Sequence, residues 1–450
     1  MSFPRYKQYK DSGVEWLGKV PEHWQIQRLK TTVQRCKNGV WGNDETGDAW
    51  DIPCVRVADF DRDKLRVKEV VPTLRNVIES DRNGRVLRRG DLLLEKSGGG
   101  DLQPVGCVVL YDHDQEAVCS NFVARMQLAS GMDASYCRYL HASIYGLRLT
   151  VRSINQTSGI QNLDQYRYLS ESFALPTHEE QMSIAVFLEK ESGKIDALIE
   201  EQRRLIELLK EKRQAVISHA VTKGLNPGIP MKDSNVDWIG EVPRNWLVTR
   251  LGYFATVENG TTPSKEKLEY WTDGQVPWLA SGEVNQLRIV EANKFITEQA
   301  LVESSLRLLP EGTIVVGLVG QGKTRGMSAI LCMTATINQN LAAICPGPKI
   351  SSEYVFYLFQ AMYESLREDG RGGNQAAINC KILASLQVPI PPMREQKDIA
   401  AFLNTLTEQT DALENEANRA IDVLQERRSA LISAAVTGKI DVRGERNGLR

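Results

Sequence analysis

Two stretches of this chain repeat one helical pattern, and that repetition limits the possible folds more than any other feature. The first runs from Thr177 to Lys223, with apolar residues in alternating steps of three and four. Such spacing is typical of a long helix packed against another helix. The pattern returns 215 residues later, where the Glu-Gln pair beginning at Glu395 repeats the pair beginning at Glu180. Because exposed residues are copied too, these are two copies of one element, and such copies are natural partners for each other.

The matching apolar positions of the two copies define a predicted seam. It consists of Ile184, Leu188, Ile195, Leu198, Leu205, Leu209 and Val216 in the first copy and of Ile399, Leu403, Leu406, Leu413, Leu424 and Leu431 in the second. Thr177 followed by Glu180 predicts a capping box at the start of the first helix, whereas the second copy has Pro392 at that place. Ser192-Gly193 is a site at which the first helix would bend or divide.

A second repeat indicates that the whole chain is a tandem duplication. The leading segment KDSGVEWLGKVPEHWQIQRL, from Lys10, returns from Lys232 as KDSNVDWIGEVPRNWLVTRL. A repeat this long predicts two lobes rather than a solenoid. The predicted boundaries are 1–24 for the leading segment, 25–176 for a first middle domain, 177–223 for the first helix, 224–246 for a linker with the second leading segment, 247–392 for a second middle domain, 393–440 for the second helix and 441–450 for a tail.

The two middle domains have diverged but keep one order of elements. Short β-type runs such as GDLLLEK, GCVVLY and GTIVVGLVG dominate them, and helices are predicted in SYCRYLHASIYGLRL and SEYVFYLFQAMYESLRE. The predicted fold class is therefore α+β, with two mixed α/β domains separated by two long helices. A shared scaffold that presents two different readers fits this pattern, whereas two copies of one active site would repeat their reactive residues.

Composition excludes several classes of protein. The formal net charge is only −2, so any nucleic-acid footprint must be local. Eight cysteines without a CxxC pair predict reduced thiols. No apolar run approaches membrane length, and the N-terminus lacks a signal-peptide core. We therefore expect a soluble, cytoplasmic protein with no membrane partner.

One motif imitates a nucleotide site. GLVGQGKT, from Gly317 to Thr324, satisfies the P-loop pattern. A working P-loop leads from a strand into a helix N-terminus, but RGMSAILCM follows here with another glycine and a β-type run. A hairpin-like loop is therefore predicted. The histidines and cysteines lack metal-ligand spacing, and no nucleophile, methyl-donor or nuclease motif is visible. We predict no catalytic and no metal-binding residues, although nuclease carboxylates are easily hidden.

Two sets of polar, glycine-containing loops remain as candidate DNA-reading surfaces. Arg and Lys bind phosphates or guanine edges, Asn and Gln pair with adenine edges, and glycine lets a backbone approach a ligand. The candidates are Arg82, Arg85, Lys96, Ser97, Arg152, Gln156, Thr157 and Gln161 in the first domain and Gln321, Lys323, Thr324, Arg325, Arg371, Asn374 and Gln375 in the second. Taken singly, each is better explained as an ordinary solvated residue. Two diverged loop sets on one duplicated scaffold favour DNA reading.

The sequence resembles the DNA-specificity subunits of type I restriction–modification systems along its whole length. The resemblance lies in DSGVEWLGKVPEHW and DSNVDWIGEVPRNW, in LPTHEEQMSIAVFL and IPPMREQKDIAAFL at the helix starts, and in the AVT that ends each helix. The loops LEKSGGGDLQPVG and VGLVGQGKTRG also look like target-recognition loops of that family. Each part occurs twice, in the family's order.

This resemblance implies two target-recognition domains that each read one half of a bipartite, asymmetric site in double-stranded DNA. It implies that the helices form an antiparallel coiled coil, with an internal pseudo-two-fold repeat. The subunit would be non-catalytic and would dock two copies of a type I DNA methyltransferase subunit, which restriction/translocase subunits join. The complex would be an adenine methyltransferase and an ATP-dependent endonuclease. No cofactor is expected in this chain; S-adenosylmethionine, ATP and Mg²⁺ would belong to its partners.

Two other functions stay open at this point. The first is a self-sufficient DNA methyltransferase or nuclease with hidden motifs. The second is a coiled-coil scaffold that binds proteins only, which salt-dependent binding to a specific duplex would distinguish from a DNA reader.

Overall fold

The computed structural model describes residues 3–157, 159–319, 323–368 and 378–444. The chain divides into two compact units. Unit 1 contains the residues up to Arg203 together with those from Asn418 onward, and unit 2 is Arg204–Ala417. Each unit combines β-sheets with helices. Among the described residues, every helix is too short or too polar to traverse a lipid bilayer.

The two long helices predicted from the repeat are present. The α-helices are α1 (Glu79–Arg82), α2 (Ala134–Gly146), α3 (Gln165–Tyr168), α4 (His178–Lys223), α5 (Glu298–Glu303), α6 (Ser352–Ala361), α7 (Tyr363–Glu368), α8 (Cys380–Ser385) and α9 (Met393–Val436). Helix α4 has 46 residues and continues through Ser192-Gly193, so it is not divided there. The predicted capping box is confirmed, because the Thr177 N–H donates to the Glu180 carboxylate at 3.1 Å and the Glu180 N–H donates to the Thr177 hydroxyl at 3.3 Å.

Unit 1 is built around a six-stranded sheet. Its strands are β1 (Tyr9–Asp11), β2 (Lys19–Pro21), β3 (Gln25–Arg28), β4 (Val33–Asn38), β5 (Asp51–Val55), β6 (Phe60–Asp61), β7 (Arg66–Val67), β8 (Leu74–Asn76), β9 (Leu92–Glu95), β10 (Ser97–Gly98), β11 (Val108–Leu110), β12 (Val118–Cys119), β13 (Val123–Leu128), β14 (Ile154–Thr157), β15 (Ile160–Leu163) and β16 (Ser172–Leu175). The large sheet has the order β4-β13-β9-β11-β7-β6. Two smaller sheets have the orders β12-β5-β8 and β10-β15-β14, while β1 pairs with β2 and β3 with β16.

Unit 2 contains a sheet of closely similar order. Its strands are β17 (Met231–Asp233), β18 (Glu241–Pro243), β19 (Leu247–Arg250), β20 (Ala255–Asn259), β21 (Val276–Leu279), β22 (Arg288–Ile289), β23 (Phe295–Ile296), β24 (Ile314–Gly317), β25 (Ser328–Leu331), β26 (Thr336–Ile337), β27 (Leu341–Pro346) and β28 (Gln387–Ile390). The order β20-β27-β24-β25-β22 follows that of β4, β13, β9, β11 and β7 in unit 1. The β-type runs and short helices predicted in both middle domains are therefore confirmed.

A repeated glutamine attaches α2 and α6 each to a long helix. Gln181 and Gln396 are 2% and 0% exposed, respectively. The Gln181 side chain accepts a hydrogen bond from the Asp133 N–H at 3.0 Å, and that of Gln396 accepts one from the Ser351 N–H at 2.7 Å. Asp133 and Ser351 are the N-cap residues of α2 and α6. Since a buried amide must be hydrogen-bonded, this contact explains why the glutamine is repeated in the sequence.

The leading segments cover the ends of the long helices. Trp24 is buried against Gly438, which follows α9, and Trp246 is buried against Gly224, which follows α4. The two glycines have φ of +69° and +75°, and a Cβ on either would lie 3.2 Å from the indole. Only glycine combines this left-handed conformation with such a close approach. The repeated tryptophans thus complete the core of each unit at a helix end.

The predicted seam is partly wrong. Leu198, Leu205 and Leu413 are 46%, 42% and 52% exposed. Their places are taken by buried neighbours such as Ile199 and Ile206, which are 4% and 9% exposed. The other ten predicted seam residues are buried or half-buried. The seam of α4 therefore steps by four residues from Ile195 to Ile199, where the sequence pattern had suggested a step of three.

Arginines also take part in the contact between the long helices. Arg213 of α4 lies half-buried in unit 2, where it contacts Asp411 at 2.5 Å and Glu414 at 2.9 Å on α9. In unit 1, Arg428 of α9 contacts Asp196 of α4 at 2.6 Å. A charged side chain is tolerated between helices when a carboxylate pairs with it. Arg213 and Arg428 therefore belong to the contact between the long helices, and a seam chosen from apolar residues alone omits them.

Candidate nucleic-acid interface

In unit 1 the two predicted polar loops meet in one small sheet. Strands β14 and β15 form a hairpin, and β15 also pairs with β10, so Ser97 lies opposite Asn162 and Gln156 opposite Gln161. The Ser97 hydroxyl donates to Asn162 Oδ1 at 2.6 Å. Gln156 is exposed, and Thr157 is the last residue of β14. The fold therefore brings the glycine-rich loop and the hairpin to one surface.

Gln161 does not belong to the exposed part of that surface. It is 5% exposed, and its Oε1 accepts a hydrogen bond from the Val105 N–H at 3.2 Å. A buried amide that is already bonded cannot reach a base edge. The prediction that Gln161 contacts DNA is corrected accordingly, because its side chain instead ties the glycine-rich loop to the hairpin.

Beside this sheet lies a cationic groove, which we define by Lys37, Arg85, Lys96 and Tyr166 and which has a volume of about 480 Å³. Lys96 Nζ donates to Asn38 Oδ1 at 2.7 Å, and Arg85 Nε donates to the Asn38 carbonyl at 3.1 Å. Among the described residues, neither lysine nor Arg85 forms an ion pair with a carboxylate. Their positive charges therefore face the groove without a fixed counterion.

The electrostatics of the cationic groove suit an anion. Partial desolvation lowers the pKa of Lys37, and nearby Arg85 and Arg35 lower that pKa further. The one carboxylate in the groove wall, Asp164, caps α3 by accepting hydrogen bonds from two backbone N–H groups. The Tyr166 ring beside these groups is 80% exposed. Clustered cations next to an exposed aromatic ring are a typical combination for binding a nucleic-acid backbone and its bases.

Two predicted residues of unit 1 lie elsewhere. Arg82 donates to the carbonyls of Val77 and Trp50 at 2.8 and 2.6 Å, so it supports the loop that precedes it. Arg152 is exposed, and its nearest carboxylate is Glu15 of the leading segment at 4.0 Å. Of the basic residues predicted here, only Arg85 and Lys96 line the cationic groove.

In unit 2 the P-loop-like motif belongs to a hairpin, as predicted. Strands β24 and β25 pair antiparallel on either side of it, with Val316 opposite Ser328. A Cβ on Gly317 would lie 2.2 Å from the Thr324 carbonyl oxygen, so this tight closure requires glycine. Strand β25 follows Thr324, where a P-loop would begin a helix. The motif therefore lacks the structural context of a phosphate-binding loop.

The other candidates of unit 2 divide into two groups. Lys323 is exposed, and its carbonyl accepts a hydrogen bond from the Tyr363 hydroxyl at 2.8 Å. Arg325 turns back onto α7, where it donates to the Arg367 carbonyl at 3.1 Å. Thr324 is half-buried at the hairpin. The candidates outside the described residues are Gln321, Arg371, Asn374 and Gln375.

Sequence reasoning missed Lys37, Asn38 and Tyr166, although one signal was available. Asn38-Gly39 has a counterpart in unit 2 that ends with Gly260. A Cβ on Gly39 would lie 2.0 Å from the Cys119 carbonyl oxygen, and one on Gly260 would lie 1.8 Å from the matched carbonyl. A glycine that both diverged domains keep indicates a backbone position that is fixed. The side chains next to such a position can differ between the domains, so they are candidates for the reading surface.

Known proteins share these features. A family model for the type I restriction modification DNA specificity domain matches residues 243–422. The MjaIX specificity subunit of Methanocaldococcus jannaschii is 32% identical over 40% of this chain and 41% of that protein. The putative MjaX specificity subunit of the same organism is 24% identical over 95% of this chain and 96% of that protein. Residues 243–422 thus match a type I DNA specificity domain, and the chain is similar to type I specificity subunits along nearly its whole length. This confirms the resemblance found from the repeated motifs.

Further similarities to specificity subunits cover a shorter part of the sequence or are similarities of solved structures. The EcoR124I/EcoR124II specificity subunit of Escherichia coli is 26% identical over 44% of this chain and 47% of its own length, so the chain spans about half of that relative or of MjaIX. A chain solved in work on complex assembly and conformational transition of the type I R-M system has a TM-score of 0.70 at 15% identity, covering 93% of this chain and 98% of that chain. The HsdS subunit of Thermoanaerobacter tengcongensis has a TM-score of 0.52 at 15% identity, covering 93% and 98%. At such identities the likeness concerns the fold.

Proposed function

We propose that this specificity subunit reads a bipartite, asymmetric site in double-stranded DNA, with one half-site bound by each recognition domain. The observation that carries the proposal is the contrast between scaffold and surface. The sheets of the two units share one strand order, whereas the residues at matched surface positions differ. Equal scaffolds with unequal surfaces are suited to reading two different sequences, and this favours an asymmetric site over a palindromic one.

The long helices would form an antiparallel coiled coil that relates the two halves as a pseudo-two-fold repeat. Ion pairs between the helices support this proposal, because Asp196 of α4 pairs with Arg428 of α9 and Arg213 of α4 pairs with Asp411 of α9. Chain positions that rise along α4 thus pair with positions that fall along α9. Such pairing is that of two antiparallel helices.

The subunit itself would be non-catalytic and would dock two copies of a methyltransferase subunit, joined by restriction/translocase subunits. Exposed leucines on the long helices, including Leu198, Leu205 and Leu413, support a docking role, because rows of exposed apolar side chains mark interaction surfaces. S-adenosylmethionine, ATP and Mg²⁺ would be bound by those partners. Within the described residues no group of three or more His, Cys, Asp or Glu side chains is arranged to hold a metal ion.

The test scrambles one half of the site at a time. Methylated adenines are first mapped in cells that carry the complete system, which identifies the site. Binding of the chain with its methyltransferase partner is then measured on duplexes scrambled in one half. Gln156→Ala should weaken discrimination in one half by about 1–3 kcal/mol, and Asn374→Ala in the other. A continuous or palindromic site, or variants that disturb both halves alike, would contradict the two-reader proposal.

The same preparation separates the alternatives. Transfer of methyl groups to DNA by the purified chain with S-adenosylmethionine would indicate a self-sufficient methyltransferase. Sequence-specific binding that weakens as salt rises is expected for a DNA reader, because cations of the protein displace counterions from the phosphates. Assembly with protein partners in the absence of any DNA binding would indicate a protein-only scaffold.

A further inference from the structure

The cationic groove of unit 1 has a matched place in unit 2 with a different charge. Lys37 precedes Asn38-Gly39, and Glu258 precedes the matched Asn-Gly pair in unit 2. Each of these glycines lies against a backbone carbonyl, which fixes both chain segments in the same way. A lysine at the edge of one sheet is thus replaced by a glutamate at the same edge of the other.

The arginine of the groove is retained in unit 2 but neutralised. Arg85 and Arg307 each stand two residues before a leucine that bridges to an alanine, namely Leu87 to Ala117 and Leu309 to Ala335. In unit 2, Arg307 contacts both carboxylate oxygens of Glu258 at 3.0 Å. Among the residues that the structure describes, Arg85 in unit 1 donates only to backbone carbonyls, those of residues 38 and 81. The matched arginine is therefore available in one unit and paired in the other.

The third cation of the groove has an apolar residue at its matched position in unit 2. The N–H of Lys96 donates to the carbonyl of residue 122 at 2.8 Å, and the N–H of Leu318 donates to that of residue 340 at 2.9 Å. These equivalent backbone bonds identify Lys96 and Leu318 as matched positions. The ammonium of Lys96 uses one of its three donors on Asn38, and two are free to bind an anion.

We propose that Lys37, Arg85 and Lys96 bind backbone phosphates of duplex DNA in unit 1, and that unit 2 lacks this anchor because Glu258 neutralises Arg307 and Leu318 replaces the third cation. The proposal rests on the proposed DNA-reading function. It adds that the two units contribute unequally to phosphate binding. Unit 1 contributes more of the salt-dependent, sequence-independent affinity. Unit 2 depends more on contacts that do not displace counterions.

Reciprocal substitutions test the inequality, because each unit supplies the residue for the other. Lys37→Glu should create in unit 1 the ion pair seen in unit 2, removing two cations from the groove. With about 0.9 counterions released per phosphate contact, the slope of log K against log salt should become shallower by roughly 1–2. Glu258→Lys should make it steeper by a similar amount. The probe is a labelled duplex of arbitrary sequence, since non-specific binding reports phosphate contacts directly.

Two further variants keep the test independent of folding. Lys96→Gln should make the slope shallower by about one, since one cation is removed. Tyr166→Ala should lower affinity while leaving the slope unchanged, because a ring displaces no counterion. Melting temperatures of all variants should match the parent, since the substituted side chains lie at the surface. Unchanged slopes in Lys37→Glu and Lys96→Gln, in chains that melt normally, would overturn the proposal.

The outcome separates this proposal from the function on which it rests. A parent chain that prefers its mapped site over a scrambled duplex, but whose slope ignores both lysine variants, remains a DNA reader without this anchor. A chain with the expected slope changes and no preference for any duplex has the anchor but is not a reader. Both changes together, with a steeper slope for Glu258→Lys, support the unequal division of affinity.

Discussion

Helix α2 of unit 1 and helix α6 of unit 2 occupy matched places but bury different chemistry. In α2, Arg138 and His141 are 1% and 0% exposed. The matched residues of α6 are Phe356 and Phe359, which are 4% and 0% exposed. Unit 1 therefore buries two polar side chains where unit 2 buries two aromatic rings. The same scaffold thus tolerates both a polar and an apolar filling at its centre.

The polar side chains of unit 1 attach α2 to the long helix. The Glu189 carboxylate of α4 accepts hydrogen bonds from Arg138, from Arg66 at 2.6 Å and from the Tyr139 hydroxyl at 3.1 Å. Burial alone raises the pKa of Glu189, but Arg138 and Arg66 hold that pKa below its usual value. One carboxylate thus serves two arginines, one of which is fully buried.

Unit 2 keeps the geometry and redistributes the charge. Asn404 takes the place of Glu189 and accepts hydrogen bonds from Arg288 at 2.9 Å and from the Tyr357 hydroxyl at 2.7 Å. The positive charge of Arg288 is balanced by Glu353 of α6, at 2.7 Å. Unit 2 therefore has one carboxylate fewer on its long helix and one buried arginine fewer. It has gained a carboxylate on α6. Hydrogen-bond geometry is what the duplication preserved, while each unit balances its charge internally.

The largest expected effect on stability concerns the contact between the two long helices, which both units share. Ile206→Asp should destabilise the chain by about 4 kcal/mol, because it buries an unpaired carboxylate. The adjacent Leu205→Asp, at a side chain that is 42% exposed, should cost less than about 1 kcal/mol. Urea denaturation of both variants provides the measurement. Equal losses would contradict the assignment of Ile206, rather than Leu205, to the helix contact.

The second prediction breaks the two attachments directly. Glu189→Ala should cost about 3 kcal/mol in unit 1, because the buried guanidinium of Arg138 loses its carboxylate. Asn404→Ala should cost only about 1 kcal/mol in unit 2, because Arg288 keeps its ion pair with Glu353. Hydrogen exchange measured on peptides from α2 and α6 assigns each loss to its unit. A greater loss for Asn404→Ala would contradict the charge balance described here.

The third prediction distinguishes the units by pH. Burial lowers the pKa of His141 to about 4 from an ordinary value of 6.5. The unfolded chain therefore takes up a proton below pH 6.5 that the folded chain refuses until about pH 4, and stability falls as the pH drops through this window. The expected loss from this group is on the order of 2–3 kcal/mol. Phe359 at the matched position of unit 2 does not titrate, so α2 should lose exchange protection before α6.

The control for this prediction removes His141 together with its hydrogen-bond partner. The Tyr168 hydroxyl lies 2.6 Å from His141 Nδ1. Replacing both partners by apolar groups of similar shape leaves no unsatisfied donor, so His141→Phe combined with Tyr168→Phe should fold and lose the pH dependence in this window. Persistence of the dependence in the double variant would assign it to another group.

The sequence predicted those features that depend on local pattern and failed where distant residues decide. Both long helices and the Thr177–Glu180 capping box follow from spacing within a few turns. The choice between Leu205 and Ile206 depends on which side chain faces the opposite helix, and the folded structure buries Ile206 and exposes Leu205. Likewise, Lys37 has nothing unusual in its own strand. It becomes part of a site because Arg85 and Lys96, from other segments, lie beside it.

The smallest expected effect concerns Lys323, the lysine of the P-loop-like motif. Its side chain is exposed and its carbonyl is bonded to Tyr363, so Lys323→Ala should change the free energy of unfolding by less than about 0.5 kcal/mol. Since β25 and not a helix follows the loop, the parent chain should show no saturable binding of Mg-ATP by calorimetry. If the loop faces DNA, the variant should make the slope of log K against log salt shallower by about one, the loss of a single phosphate contact. Lys37→Glu should change that slope more, because it removes two cations from unit 1 where Lys323→Ala removes one from unit 2. Saturable ATP binding that is lost in Lys323→Ala would restore the nucleotide-binding interpretation of the motif, and an equal or larger slope change for Lys323→Ala would move the electrostatic anchor to unit 2.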